Sequence, residues 1–207
     1  MIKDQTIEVF LENLAGKSST PGGGSAAAII GGMGAALVSM VANFTIGKKG
    51  YEAVNAEMES VLAKAEELRK RFVELIQADV DVFNQVMAAY GMPKEADADK
   101  AKRAEAIQLA LKEATDVPLA CATLCIEVIE LSRQVAEKGN TNVISDAGVA
   151  VLAAEAALGS AALNIYINIA NIRDSEFVND RRTRLEAMLG SSSETTDRVY
   201  ALVKSKV

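Results

Sequence analysis

Between Lys17 and Lys48 no side chain carries a charge, and small residues dominate the interval SSTPGGGSAAAIIGGMGAALVSMVANFTIG. A run so long and apolar can be a membrane span, a phosphate loop or a helix enclosed by other helices. The stretch from Ser25 to Gly47 reaches the ~20 residues needed to cross a bilayer, and its small residues resemble a transmembrane packing motif. It lacks the dense Leu, Ile and Phe of a lipid-facing surface. Gly23, Ala27, Gly31, Ala35, Ser39 and Asn43 instead recur every four residues, and Gly24, Ala28, Gly32 and Ala36 form the adjoining row. Rows spaced by four are the ridges along which helices interdigitate. Two adjacent rows of small side chains admit neighbours from more than one direction, which places this helix at the centre of a bundle. A second low-charge segment, SDAGVAVLAAEAALGSAALNIYINIANI, carries Asp146, Glu155, Asn164, Asn168 and Asn171 and is too polar for lipid. No membrane partner is expected.

The remaining chain reads as helix too. Aromatic residues make up only 4% of the sequence against 50% apolar residues overall, and no alternating strand pattern of useful length occurs. Ile7, Phe10, Leu11 and Leu14 form an amphipathic stripe ending at Gly16. Val54, Met58, Val61, Ala65, Leu68, Phe72, Ile76, Phe83 and Val86 mark one long helix between Tyr51 and Tyr90. GMPKEADADK ends it, a fourth helix runs from about Lys100 to Glu137 with a bend expected at Pro118, and EKGNTN stops that one. Ser145 or Asp146 opens the second low-charge helix, and two amphipathic helices are expected in the last thirty or so residues. The expectation is one all-α domain over 1–207, a multi-helix bundle with a central Gly/Ala-rich helix and long antiparallel helices.

Composition also limits the chemistry. Histidine is absent, which removes Ser-His-Asp and Cys-His catalysis and every His-containing zinc site. Net charge is −6, so the clustered Lys and Arg of a nucleic-acid surface are not expected. Cys121 and Cys125 share a helix face in an apolar segment and read as buried, reduced thiols, which suits a cytoplasmic protein. Acidic residues within MIKDQTIEVFLENL argue against a secretory signal. Two cysteines are too few ligands for a Cys-only metal site, so no metal is expected.

Three places stand out. Thr20 suits an N-cap and Pro21 a first helical position, which would put Gly22, Gly23 and Gly24 in the first turn. Each glycine costs up to ~1 kcal/mol relative to alanine in a helix interior, so three together need a reason. Exposed N–H groups cradling a polar ligand and simple clearance for a neighbouring helix are both open; the pattern is neither GxxxxGK[ST] nor GxGxxG. Asp79 falls on the apolar stripe of the long helix, seven residues after Phe72 and four before Phe83. Raised in pKa by apolar surroundings it could act as a general base, or it could simply tie helices together. Lys48 could meet Asp79 if the two helices form a hairpin through GKKGY. Asn164, Asn168 and Asn171 form a polar stripe open to ligand contact or to structural hydrogen bonding, and Asp146 lies about 27 Å along that helix from Asn164.

The motifs STPGGGSAAA, FTIGKKGYE, DVDVFNQVMAAYGMPK, ATDVPLA, EKGNTNVISDAGVAVLAA and SAALNIYINI, in that order along nearly the whole chain, resemble the cyclodeaminase/cyclohydrolase family of folate enzymes. The resemblance implies a homodimeric all-α fold that needs no cofactor beyond its folate substrate. It also implies a pocket lined by Pro21, Gly22, Gly23, Gly24 and Ser25, by the GKK turn and by the Asp79 helix. Asp79 and Lys48 match the catalytic positions, and Asn43, Asp146, Asn164 and Asn168 match substrate contacts. The implied reaction is hydrolysis of 5,10-methenyltetrahydrofolate to 10-formyltetrahydrofolate. Alternatives are cyclodeamination of formiminotetrahydrofolate with release of ammonia, or a non-catalytic folate-binding or scaffold role.

Overall fold

The computed structural model describes residues 2–207, and every regular element among them is helical. Six α-helices follow in order: α1 (Ile7–Ala15), α2 (Gly23–Asn43), α3 (Asn55–Tyr90), α4 (Asp97–Lys138), α5 (Ile144–Ile169) and α6 (Ser175–Lys206). α1 is fastened by Thr6, whose Oγ1 accepts from the Val9 N–H at 3.3 Å. From α2 onward the chain goes up and down, as residue pairings across helices show. Gly31 lies against the Phe72 ring, Gly34 against the Ala150 carbonyl and Gly148 against Val203, and Lys138 bonds Glu57 at 2.7 Å. α2 packs chiefly on α3 and α5, α4 covers α3 and α5 from behind, and α6 closes against α5 and α4.

The small-residue rows do what their spacing suggests. Ala27, Gly31, Ala35 and Ser39 are buried on α2, and a Cβ at Gly31 would sit 2.4 Å from Cε1 of the buried Phe72 ring. α2 and α5 are long and apolar enough to cross a membrane, yet 56% and 50% of their apolar windows are buried inside the chain. Their inner halves form the core with Leu68, Phe72, Leu124, Val128, Leu158 and Ile165. Their outer halves are bare.

Two sequence expectations need correction. α2 begins at Gly23 rather than at Pro21: the Thr20–Pro21 peptide is cis, Gly22 is extended with φ −132° and ψ −160°, and no side chain of the preceding segment caps the helix. The tail is one helix of 32 residues instead of two, because Leu185, Ser192, Thr196, Val199 and Val203 continue a single buried stripe straight through Gly190. Ser192 and Thr196 lie on the packed side.

Helix length positions the site. α3 runs 36 residues and α4 42, whereas α2 has 21, so the α3–α4 hairpin outruns α2 as an arm with its own small cluster of Ala89, Ile107, Ala110, Leu111 and Ile172. Asp79 stands where α2 stops and the arm begins. Pro118 lies inside α4 and is buried. It cannot donate to the Ala114 carbonyl four residues back. Asn168 of α5 supplies the missing donor, its Nδ2 reaching that oxygen at 2.8 Å.

Candidate active site

The first turn of any helix leaves backbone N–H groups unpaired, and α2 has no side-chain cap of its own. Asp79 takes that place from α3. Its Oδ2 accepts from Ser25 Oγ at 2.8 Å, and the carboxylate also accepts the Ser25 backbone N–H. Its Oδ1 lies 2.0 Å from where a Cβ on Gly24 would stand, so any side chain at position 24 would evict the carboxylate. Gly23 faces the Asn164 amide of α5, whose Nδ2 would be 3.7 Å from a Cβ there. Gly24 thus serves clearance for a polar group of another helix, whereas a Cβ at Gly23 would make only ordinary contact with the Asn164 amide.

Burial lifts the Asp79 carboxyl above the ordinary aspartate range, and the two Ser25 donors offset only part of that rise. No Lys or Arg forms an ion pair with it among the described residues. A void of about 10 Å³ adjoins the carboxylate, walled by Gly24, Ala27, Leu75, Pro118, Cys121 and Ala161. That is room for water and nothing larger. A half-buried carboxylate without a counter-ion, beside a water-sized space, is suited to accepting a proton from water.

Lys48 is elsewhere. α2 and α3 do form the hairpin, but its antiparallel register sets Asp79 against Ser25, at the start of α2, while Lys48 follows the end of α2, roughly 30 Å away. In the turn that carries Lys48, Gly47 and Gly50 have φ of 71° and 90°, the left-handed region glycine tolerates. Lys48 Nζ donates to Asn140 Oδ1 at 2.6 Å and stands 5.7 Å from the Tyr51 ring centre. Asn140 in turn donates through Nδ2 to the Phe44 carbonyl at 2.9 Å and through its backbone N–H to Thr45 Oγ1 at 2.8 Å. Asn43, exposed at the last position of α2, and half-buried Asp146, in the first turn of α5, belong to this same end.

The residues singled out in the sequence therefore fall into two groups. Pro21, Gly22, Gly23, Gly24, Ser25, Asp79 and Asn164 gather at one end of α2, and Asn43, Lys48 and Asp146 at the other. Asn168 stands near the first group, but its amide is committed to α4. Asn164 Nδ2 bonds the Ser160 carbonyl of its own helix at 2.9 Å. Asn140 was missed: within EKGNTN it reads only as a helix stop, and nothing in that spacing reveals that it grips Lys48. Cys121 and Cys125 are free and buried, and the neighbouring sulfur and burial push the Cys125 thiol well up.

Fold and site together define a helical bundle whose central helix opens onto a half-buried carboxylate in a chain without histidine. The pattern of the formiminotransferase-cyclodeaminase family matches residues 6–187, and the chain belongs to that family. It is similar to the methenyltetrahydrofolate cyclohydrolase of Methylorubrum extorquens, with 56% identity over all 207 residues and the full length of that protein. It is also similar to the formimidoyltransferase-cyclodeaminase of Sus scrofa, at 32% identity over 88% of this chain but only 34% of that one. A crystal structure of formiminotetrahydrofolate cyclodeaminase from Thermotoga maritima has the same fold, with a TM-score of 0.83 and 32% identity over 100% of this chain and 97% of that one.

Proposed function

We propose that this chain hydrolyses 5,10-methenyltetrahydrofolate to 10-formyltetrahydrofolate, acting as a homodimer without metal or redox cofactor. The observation that carries the reading is the end-to-end 56% identity with a relative named for that reaction. The chemistry fits a site with no imidazole. The bridging carbon between N5 and N10 is an amidinium-like cation, so attack by water is favourable once water gives up a proton. Asp79 takes that proton, and its negative charge opposes the charge of the substrate. The neutral hydroxyl adduct then breaks its bond from carbon to N5. The hydroxyl proton ends on N5, the oxygen becomes the formyl carbonyl, and one proton is released overall. Within one chain Lys48 stands roughly 30 Å away, past the other end of α2, and does not reach that oxygen. Glycines 22 to 24 and Asn164 line the approach. Folate suits this chain better than nucleic acid, given the net charge of −6, and two free buried thiols suit the reducing cytoplasm.

Cyclodeamination is the second reading, favoured by the Thermotoga maritima structure. There N10 closes on a formimino carbon and ammonia leaves, through the same tetrahedral carbon between N5 and N10. Both folates should be offered side by side, following loss of methenyltetrahydrofolate absorbance and ammonia release. Turnover of the first above its uncatalysed rate is expected; release of ammonia alone would transfer the assignment to the deaminase. No turnover of either would leave Asp79 as a bridge between helices in a binding or scaffold protein.

A further inference from the structure

Ser25 belongs to the pocket wall that the family resemblance implies, yet it has nothing to offer a ligand. The residue is 0% exposed, and its hydroxyl carries a single proton, which it donates to Asp79 Oδ2 at 2.8 Å. Its backbone N–H is given to the same carboxylate. A residue so enclosed and so committed influences a reaction only through the group it holds.

Three features make that hold consequential. Nothing else of charge competes for Asp79: no Lys or Arg forms an ion pair with it among the described residues. The walls beside it carry one other titratable group, the Cys121 thiol of α4, while α2 contributes Gly24 and Ala27, α5 Ala161 and α3 its own Leu75. Secondly, two donors on one residue fix the plane of the carboxyl as one donor would not, and they stand in the first turn of α2, where the helix dipole favours negative charge. Thirdly, with Oδ2 held by the hydroxyl, Oδ1 is the oxygen without a side-chain partner among the described residues. It lies against Gly24, and Gly24 and Asp79 both wall the water-sized space of about 10 Å³.

We propose that Ser25 is a positioning residue for the reaction and not a substrate contact: it anchors Oδ2 of Asp79 and leaves Oδ1 to receive the proton of the attacking water. The O–H bond of that water breaks, its proton goes to Oδ1, and its oxygen bonds to the bridging carbon. A hydrogen bond to the ionised carboxyl is stronger than one to the neutral acid, so Ser25 also favours the form that can accept a proton. The role rests on the hydrolase reading above.

Ser25→Ala removes the hydroxyl, and Ser25→Cys keeps its shape with a weaker donor. Both should leave KM near wild type and lower kcat, by about 10- to 100-fold for alanine and by less for cysteine. The acid limb of kcat/KM should move to higher pH in both, because the ionised carboxyl has lost a donor. The side-chain carboxyl carbon of Asp79, followed by ¹³C NMR against pH and assigned with Asp79→Asn, should titrate at higher pH in the same two variants, a readout that needs no turnover. A raised KM with unchanged kcat makes Ser25 a substrate contact and overturns the proposal. A lower melting temperature with kcat, acid limb and carbon titration all at wild-type values overturns it too, as the mark of a residue that only fastens a helix. Failure of the wild type to turn over either folate, with the titration still shifted, removes the hydrolase reading and the proton step while keeping the hold of Ser25 on Asp79.

Discussion

Oδ1 of Asp79 occupies the space that a methyl group on residue 24 would need, and this single contact ties the glycine run to the chemistry. Gly24→Ala should leave a folded protein with turnover reduced by about 10²-fold, since a displacement of ~1 Å at a reacting group costs that much; steady-state kinetics beside a thermal melt separates lost placement from lost fold. The pH behaviour follows from burial. Asp79 is raised above the ordinary aspartate range in the folded state, so kcat/KM should fall on the acid side with an apparent pKa above that range. Asp79→Asn should abolish turnover, not shift that limb. The same raised value has a stability consequence. The proton is bound more tightly folded than unfolded, so this contribution to stability is present below the ordinary pKa and is lost as pH rises through the folded one. Asp79→Asn should therefore melt no lower than wild type at pH 7, and the difference should shrink as pH falls through the raised pKa. A variant that melts much lower at pH 7 would show that fastening α2 outweighs the desolvation of the charge.

At the scale of helices, the exchange between Pro118 and Asn168 is the most instructive. Proline deprives the Ala114 carbonyl of its donor, and Asn168 replaces it from another helix at 2.8 Å. Asn168→Ala should destabilise the protein by about 1–3 kcal/mol, the cost of a buried acceptor left unpaired. Adding Pro118→Ala restores a backbone N–H and should recover much of that loss; additive losses in denaturant titrations would deny the exchange. Helix identity was legible because a period of 3.6 recurs in α1 and α3, and the four-residue rows placed α2 at the centre. The single α6 was not legible, because Ser192 and Thr196 look like loop residues until Leu185 and Val199 are seen to continue their stripe. The start of α2 was misplaced for a related reason: its cap comes from Asp79, 54 residues further on, and local spacing cannot announce an acceptor that distant. Asp79 itself was legible as a carboxylate on an apolar stripe. Its separation from Lys48 was not, because a hairpin pairs positions by register, and register depends on where both helices begin.

For the molecule as a whole, mismatched helix lengths matter more than any one contact. The core is as long as α2, and everything in α3 and α4 beyond it is an arm that ends at Tyr90 to Asp97. The tip of that arm stands about 16 Å past Asp79, eleven residues along α3. Exposed Pro93, Lys94 and Glu95 form the turn there, and Arg103 clasps the Tyr90 carbonyl at 3.0 Å just behind it. A fluorophore, an affinity handle or a whole folded module inserted between Pro93 and Glu95 should ride outside the bundle, leaving melting temperature and turnover close to wild type. The long hairpin thus offers a boom on which cargo can hang clear of the machinery, and a tether anchored there would report on neighbours of the enzyme without obstructing its mouth.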